Sequence, residues 1–168
     1  MKVLLGSNSY KSVNKSVVDY LIENSIAELE YLKIEAQEIP LYSVYEEETT
    51  GIPKSIQNLF EEIQTYTGEI LIATPEYNGN MSAFFKNIID WLSRIDKRIF
   101  EGKKVKVLCV TPGKMAGGSV REILQKALPF LGADEVLTFG IGNYYQIFVD
   151  KQIIDEKIKS DLIKFIKD

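Results

Sequence analysis

Segments typical of β-strands alternate with segments typical of α-helices along the whole chain, five of each. The strand-like runs cover residues 3–5, 31–36, 69–74, 105–111 and 135–140, and apolar residues at helical spacing follow each of them. Such strict alternation predicts an α/β fold, a parallel sheet covered on both faces by right-handed crossover helices. The 168 residues contain no repeat, low-complexity tract or linker, so we expect residues 1–168 to form a single domain.

The composition of the strands predicts their order in the sheet. The first, third and fourth runs are mostly apolar, as central parallel strands are, whereas residues 31–36 alternate like an edge strand. A five-stranded sheet in the order 2-1-3-4-5 fits this pattern. In that order the winding reverses between strands 1 and 3, so the loops after them open a crevice, with the loop after strand 4 beside it. Helices are expected at residues 13–24, from residue 53 onward, and at residues 82–94, 118–131 and 154–166. Residues 40–53 are expected to form a long loop that borders the substrate pocket or is only a solvated connection.

The composition also limits the chemistry. There is no histidine, which excludes histidine-dependent catalytic triads and makes us expect no metal site. Cys109 is the only cysteine, so no disulfide forms within the chain, and a cytoplasmic setting is expected. The net charge of −4 comes from 24 acidic and 20 basic residues that are scattered, so we expect no nucleic-acid or membrane partner. We therefore assign the chemistry to a bound organic cofactor, with no catalytic side chain.

The first loop, residues 6–14, is rich in hydroxyl and amide side chains and leads into a helix. Unpaired N–H groups and the positive end of the helix dipole favour an anion there, and Lys11 adds positive charge. Neither the dinucleotide-binding nor the triphosphate-binding glycine pattern is present. The alternative is that Ser12 only caps the helix and the rest is a solvated turn.

The second loop is Thr74-Pro-Glu-Tyr-Asn-Gly-Asn80, between a buried strand and an amphipathic helix. It combines an acid, a phenol, an amide and a flexible glycine, which suits a planar cofactor with polar edges. The alternative is that Pro75, Tyr77 and Gly79 are only turn residues.

The third loop, residues 111–118, contains three glycines that would let the backbone approach a flat ligand closely. N–H donors there, or Lys114, would favour the reduced, negatively charged form of a flavin. The alternative is a flexible loop with ordinary turn chemistry.

Together the three loops resemble the NADPH-dependent FMN reductase family, flavodoxin-like proteins that include quinone, azo-dye and chromate reductases. The resemblance covers nearly the whole chain. It is strongest in Thr74-Pro-Glu-Tyr-Asn-Gly79, which is similar to the family's TPEYN signature, and in Lys86-Asn-Ile-Ile-Asp-Trp-Leu-Ser-Arg94, which is similar to the helix after it.

The chain departs from the family's pattern at two places. Ser9 stands where the phosphate loop of the family usually has arginine, which implies either weaker phosphate binding or a compensating contact from Lys11. Ser82-Ala83 replaces a Pro-Gly pair, a change that alters the start of the helix more than the chemistry.

The resemblance implies a flavodoxin-like three-layer sandwich that binds FMN. The first loop would hold the phosphate, the second the ribityl chain and ring, and the third would line the isoalloxazine. The implied cofactor-binding residues are Ser7, Ser9, Ser12, Val13, Asn14, Pro75, Glu76, Tyr77, Asn78, Gly79, Gly113, Lys114, Gly117 and Gly118. A homodimer or homotetramer is also implied, and the third helix, which carries Phe84, Phe85 and Trp91, is the expected contact. The alternative is core packing, which we expect to take some of these three residues.

The resulting hypothesis is an FMN-dependent oxidoreductase. NADPH or NADH would deliver hydride to FMN and leave, and a quinone, a nitro or azo compound, a metal oxyanion or free flavin would then take the electrons, in a ping-pong order. Two alternatives stay open. One is a flavodoxin-type electron carrier, although such carriers generally use a strongly acidic docking face, which a net charge of −4 does not supply. The other is a flavodoxin-like protein without redox turnover.

Overall fold

A five-stranded parallel sheet lies at the centre of the protein, whose computed structural model describes all of residues 1–168. Its strands are β1 (Lys2–Leu5), β2 (Glu30–Tyr31), β3 (Ile70–Ala73), β4 (Lys103–Val110) and β5 (Ala133–Ile141). They are ordered β2-β1-β3-β4-β5, and every neighbouring pair is parallel. The predicted sheet order is confirmed, and with it the reversal of winding between β1 and β3.

Seven helices connect or flank the strands. They are α1 (Val13–Glu23), α2 (Val44–Thr50), α3 (Lys54–Thr65), α4 (Ala83–Ile95), α5 (Gly118–Ala127), α6 (Tyr144–Ile147) and α7 (Glu156–Lys167). Single 3-10 turns cover Ala36–Glu38 and Leu128–Leu131, and two-stranded hairpins pair Glu76–Tyr77 with Asn80–Met81 and Phe148–Val149 with Gln152–Ile153. None of the helices has the combination of length and apolar character that a membrane span requires.

Two apolar cores lie between the sheet and the helices on its two faces, as in a three-layer sandwich. One core packs α3, α4 and α5 on one face of the sheet, and the other packs α1 and α7 on the opposite face. Apolar residues at helical spacing supply the contacts, for example Ile56, Leu59 and Ile63 of α3, all of them buried. The expected α/β sandwich of flavodoxin-like type is therefore the observed fold.

The second strand is shorter than the alternation of residues 31–36 predicts. Only Glu30 and Tyr31 pair with β1, and Leu32 adds one N–H bond of 2.9 Å to the carbonyl of Val3. An edge strand has a single neighbour, and β1 itself ends at Leu5, so little backbone is available for pairing. The chain turns into a 3-10 turn at Ala36 instead.

Residues 40–53 are not the irregular loop that the sequence suggested, because α2 lies within them. The segment is fastened to α4 by side chains of the signature helix. The indole N–H of Trp91 and the amide of Asn87 both donate to the carbonyl of Pro40, at 2.8 and 2.9 Å. Arg94 pairs with Glu47 at 3.0 Å. These residues of the signature hold a neighbouring segment in place.

Candidate cofactor-binding site

The first loop leaves a cluster of backbone donors free at the N-terminus of α1. The Ser12 hydroxyl accepts the N–H of Lys15 at 3.2 Å and so caps the helix, as the alternative interpretation predicted. Ser7 and Ser9 accept the N–H groups two residues further on. The N–H groups with no acceptor in the protein belong to Ser7, Asn8, Tyr10, Ser12, Val13 and Asn14. Converging free N–H groups at a helix N-terminus form an anion-binding nest.

The side chain of Asn14 does not face this nest. It is 1% exposed, and its amide donates to the Val110 carbonyl at 3.1 Å while its carbonyl accepts the Val110 N–H at 2.8 Å. The expected contribution of this side chain to phosphate binding is therefore corrected. It joins the first loop to the end of β4, and only its backbone N–H is left for a ligand.

The two lysines near the first loop differ in whether an acidic side chain pairs with them. Lys15 forms an ion pair with Asp19 at 2.7 Å, so its charge is already balanced. Lys11 is exposed, and its ammonium lies 5.3 Å from the centre of the Tyr10 ring, without an acidic partner. Lys11 is the cation that remains available where the family usually has arginine.

The second loop is a tight hairpin with two residues in the left-handed region. Asn78 has φ = +53° and Gly79 has φ = +75°, which matches the preference of two-residue hairpin turns for Asn-Gly. Pro75 is buried, whereas Tyr77 is 51% exposed and Asn78 and Gly79 are at the surface. The loop therefore leaves the Tyr77 ring and the Asn78-Gly79 turn exposed at the carboxyl edge of the sheet.

Glu76 is occupied within the protein. Its carboxylate accepts the N–H of Val120 in the first turn of α5 at 3.0 Å. A carboxylate at a helix N-terminus is favoured by the helix dipole. The side chain thus links the second loop to the third, and a direct contact with a cofactor through this carboxylate is not what the geometry supports.

The third loop adds further free donors. Its N–H groups without an acceptor belong to Gly113, Lys114, Met115, Ala116 and Gly117, and that of Ser119 follows in α5. Gly113 and Lys114 are exposed, and Gly118 begins α5. Gly117 has φ = +66°, and a Cβ at this position would overlap the Cys109 side chain below it. The glycine is needed both for the turn and for the close approach to β4.

Burial keeps Cys109 neutral. It lies under Gly117, and burial, assisted by the nearby carboxylate of Glu76, raises the pKa of its thiol to about 12. A thiol with that pKa is protonated at neutral pH and is not a nucleophile.

Side chains brace the three loops in pairs. Asn14 joins the first loop to Val110, the last residue of β4 before the third loop, and Glu76 joins the second loop to the third. Ser82, which caps α4, donates its hydroxyl to the Gly6 carbonyl at 2.7 Å and so joins the first loop to the second. Gly6 also packs closely against the start of the second loop, since a Cβ there would lie 2.8 Å from the Thr74 hydroxyl oxygen. The cradle is therefore held in shape before any ligand arrives, which lowers the entropic cost of binding.

Residues 1–146 match the family described as NADPH-dependent FMN reductase. The chain belongs to this family. Its membership confirms an oxidoreductase with FMN as cofactor and NAD(P)H as electron donor.

Individual relatives agree with this assignment. The chain is 34% identical over 131 residues to a quinone reductase of Escherichia coli (strain K12), an alignment that covers 77% of this chain and 69% of the relative. It is 36% identical over 95 residues to an NAD(P)H-dependent FMN reductase of Pseudomonas aeruginosa, covering 55% of this chain and 49% of the relative.

Solved structures support the fold. A flavoenzyme NAD(P)H:(acceptor) oxidoreductase from Paracoccus denitrificans superposes with a TM-score of 0.75 at 23% identity, covering 98% of this chain and 91% of that one. An FMN-dependent NADH-azoreductase from Bacillus anthracis, in complex with FMN, gives a TM-score of 0.64 at 12% identity, covering 99% and 97%. At these identities the likeness concerns the fold alone.

The residues present fit the family's cofactor. FMN carries a phosphate dianion, and the free N–H groups of the first loop, at the positive end of α1, are suited to it. A cleft of about 590 Å³ adjoins this loop, and its lining includes Ser7 and Ser9 together with Tyr31, Ile34 and Phe84. A cleft of about 670 Å³ around Met1 and Tyr66 lies at the opposite edge of the sheet, away from the family's loops.

The segment after β5, residues 142–151, which contains α6, supports the site and was not predicted from the sequence. The N–H of Asn143 donates to the carbonyl of Gly113 at 3.1 Å, and the N–H of Tyr144 donates to the carbonyl of Thr111 at 3.2 Å. A Cβ at Gly142 would lie 2.9 Å from the Gly113 carbonyl. The glycine next to a strand end and the following Asn, which has φ = +52°, were the available sequence signals.

Proposed function

We propose that residues 1–168 form a single FMN-binding domain that passes electrons from NADPH or NADH to a small-molecule acceptor in the cytoplasm. The braced cradle of free N–H groups at the carboxyl edge of the sheet carries this proposal. The relatives named quinone reductase and FMN reductase favour a quinone or free flavin as acceptor. Nitro and azo compounds and metal oxyanions are further acceptors of the same electron-poor kind.

Each loop has a separate part in binding. The free N–H groups of Ser7, Ser12, Val13 and Asn14, together with the hydroxyls of Ser7, Ser9 and Ser12, hold the phosphate. The exposed Tyr77 ring and the Asn78-Gly79 turn meet the ribityl chain and ring. The free N–H groups of residues 113–117, with the ammonium of Lys114, face the ring and favour added electron density on it.

The bound flavin supplies the capacity to accept hydride and to release electrons. The protein binds and orients it, and no acid or base among the side chains is required. The absence of histidine and the neutral thiol of Cys109 agree with this division of labour.

We propose that donor and acceptor use the same open edge in turn, which is a ping-pong order. A single cradle flanked by surface-exposed loops supports one occupant at a time rather than a ternary complex. Initial rates at several fixed acceptor concentrations should give parallel double-reciprocal lines, and intersecting lines would contradict the order.

The decisive experiment measures turnover. Purified protein with FMN is mixed with NADPH or NADH and a quinone, and oxidation of the nicotinamide is followed by absorbance. We expect a rate well above that of an equal concentration of free FMN. A rate no greater than that of free FMN would contradict the proposal that the protein is an enzyme.

We also propose a homodimer or homotetramer. Phe85 and Trp91 are buried in the core and cannot form the contact that the sequence suggested. An apolar groove of about 270 Å³ between α4 and α5 supports a contact through the half-buried Ile89 and Ala127 instead, beside Phe130, which is 87% exposed. Sedimentation should show an oligomer that Phe130→Asp weakens, and a monomeric wild type would contradict this.

A further inference from the structure

The third loop contains a backbone conformation that needs external support. Two consecutive residues are left-handed, Ala116 at φ = +53° and Gly117 at φ = +66°. Glycine adopts this region freely, but alanine does so only at a cost, because its Cβ crowds the backbone. A non-glycine residue persists there only where the surrounding structure determines it.

Arg121 holds this residue from one side. Its Nε donates to the Ala116 carbonyl at 3.0 Å, across one turn at the start of α5. Gly140 of β5 makes room for the contact, since a Cβ there would lie 2.6 Å from the Arg121 Nε and would overlap the Ala116 carbonyl. No acidic side chain pairs with Arg121, so this carbonyl is the polar group that fixes the guanidinium.

Glu76 holds the same turn from the other side. Its carboxylate takes the N–H of Val120, the residue next to Arg121, at 3.0 Å. The two side chains therefore fix both ends of residues 116–121, and Glu76 does so from the second loop. Neither role follows from the family's signature, in which Glu76 stands among the cofactor loop residues.

We propose that Arg121 and Glu76 are positioning residues that keep the third loop in its FMN-binding conformation. Arg121 acts through the left-handed conformation of Ala116, and Glu76 acts through the first turn of α5. The inference rests on the proposed function, because it takes the third loop to contact the flavin. It predicts that relieving the strain at Ala116 will replace the support from Arg121.

The test measures the FMN dissociation constant of the apoprotein by quenching of flavin fluorescence. Arg121→Ala should weaken FMN binding about tenfold, the equivalent of one hydrogen bond from a charged group. Adding Ala116→Gly to R121A should restore most of that loss, because glycine adopts the left-handed region without support. The same Ala116→Gly in a Ser12→Ala background, which weakens the first loop instead, should restore nothing.

Glu76 is tested by the chemistry of its replacement. Glu76→Gln keeps an oxygen acceptor for the Val120 N–H and should bind FMN within about threefold of wild type, whereas Glu76→Ala should lose about tenfold. Glu122→Ala is the matched control, because it removes an acidic side chain from the same helix that pairs only with Lys126 at 2.7 Å. Thermal unfolding of each apoprotein shows that it is folded.

Each outcome supports or overturns the inference. If R121A and E76A bind FMN as tightly as E122A, the inference is wrong, while the proposed function stands. If A116G restores FMN affinity in the S12A background as much as in the R121A background, its effect is general and the proposed coupling between Ala116 and Arg121 is wrong. If R121A does not fold, the comparison of E76A with E76Q decides alone, and equal affinities overturn the inference. If the wild type binds no FMN, the proposed function itself fails.

Discussion

Replacing Asn14 with alanine should lower the free energy of unfolding by more than the loss of so small a side chain usually does. The pairing of β3 with β4 ends at Ala73 and Leu108, two residues before Val110. The N–H and C=O of Val110 therefore have no strand partner on the side of β3. Asn14 takes that place with bonds of 2.8 and 3.1 Å in a buried setting. Asn14→Ala would leave both groups of Val110 unsatisfied.

The magnitude follows from the cost of unsatisfied groups. Each buried backbone group without a partner costs about 1–3 kcal/mol, so the loss of both partners should cost about 2–6 kcal/mol in free energy of unfolding. For a chain of 168 residues this corresponds to a fall of about 4–24 °C in Tm. FMN binding should weaken as well, because the first loop is no longer joined to the end of β4.

The assay is thermal and urea unfolding of the apoprotein, followed by circular dichroism. Asn58→Ala is the control, because Asn58 is exposed on α3 and its side chain makes no hydrogen bond within the protein. It should change the free energy of unfolding by no more than about 0.5 kcal/mol. If N14A unfolds within 2 °C of N58A, the role assigned to Asn14 is refuted.

Two further predictions concern the core beneath the site and the ion pairs at the opposite edge of the sheet. Gly117→Ala should cost about 2–5 kcal/mol in free energy of unfolding, since φ = +66° strains alanine and its Cβ overlaps Cys109, and adding Cys109→Ala should recover the part due to overlap. Burial raises the pKa of Glu69, but the buried Lys106, 2.8 Å away, outweighs it and holds that pKa below the usual 4.5. A pKa that is lowered by folding stabilises the protein above pH 4.5, and this contribution is lost as the pH falls. In urea unfolding, the difference in free energy of unfolding between wild type and Glu69→Gln should therefore shrink below pH 4.5. A difference that stays constant from pH 7 to pH 3 would contradict this.

The sequence is sufficient for the sheet but not for every element around it. Apolar runs such as residues 69–74 indicate buried strands in an alternating chain, and the sheet order 2-1-3-4-5 fits the edge-like alternation of residues 31–36. Helix α2 escapes prediction because none of its seven residues is buried, so it has no apolar periodicity. Strand β4 begins two residues earlier than predicted, at Lys103, because its buried lysines find partners that the sequence does not reveal.

The same limit applies to the site. The three loops and their place at the carboxyl edge follow from local patterns and the winding of the sheet. The roles of Asn14, Glu76 and Arg121 do not, since they depend on geometry. Asn14 meets a partner 96 residues away and Glu76 one that is 44 residues away. Residue types that suit a ligand also suit a backbone brace, and only the structure distinguishes the two uses.

Binding of FMN and of riboflavin, which lacks only the phosphate, tests the central claim most directly. Both are titrated into the apoprotein, and quenching of flavin fluorescence gives the two dissociation constants. Several charge-assisted bonds from the free N–H groups of residues 7–14 should make FMN bind at least about 100-fold more tightly. Equal affinities would show that the first loop does not hold a phosphate and would contradict the account.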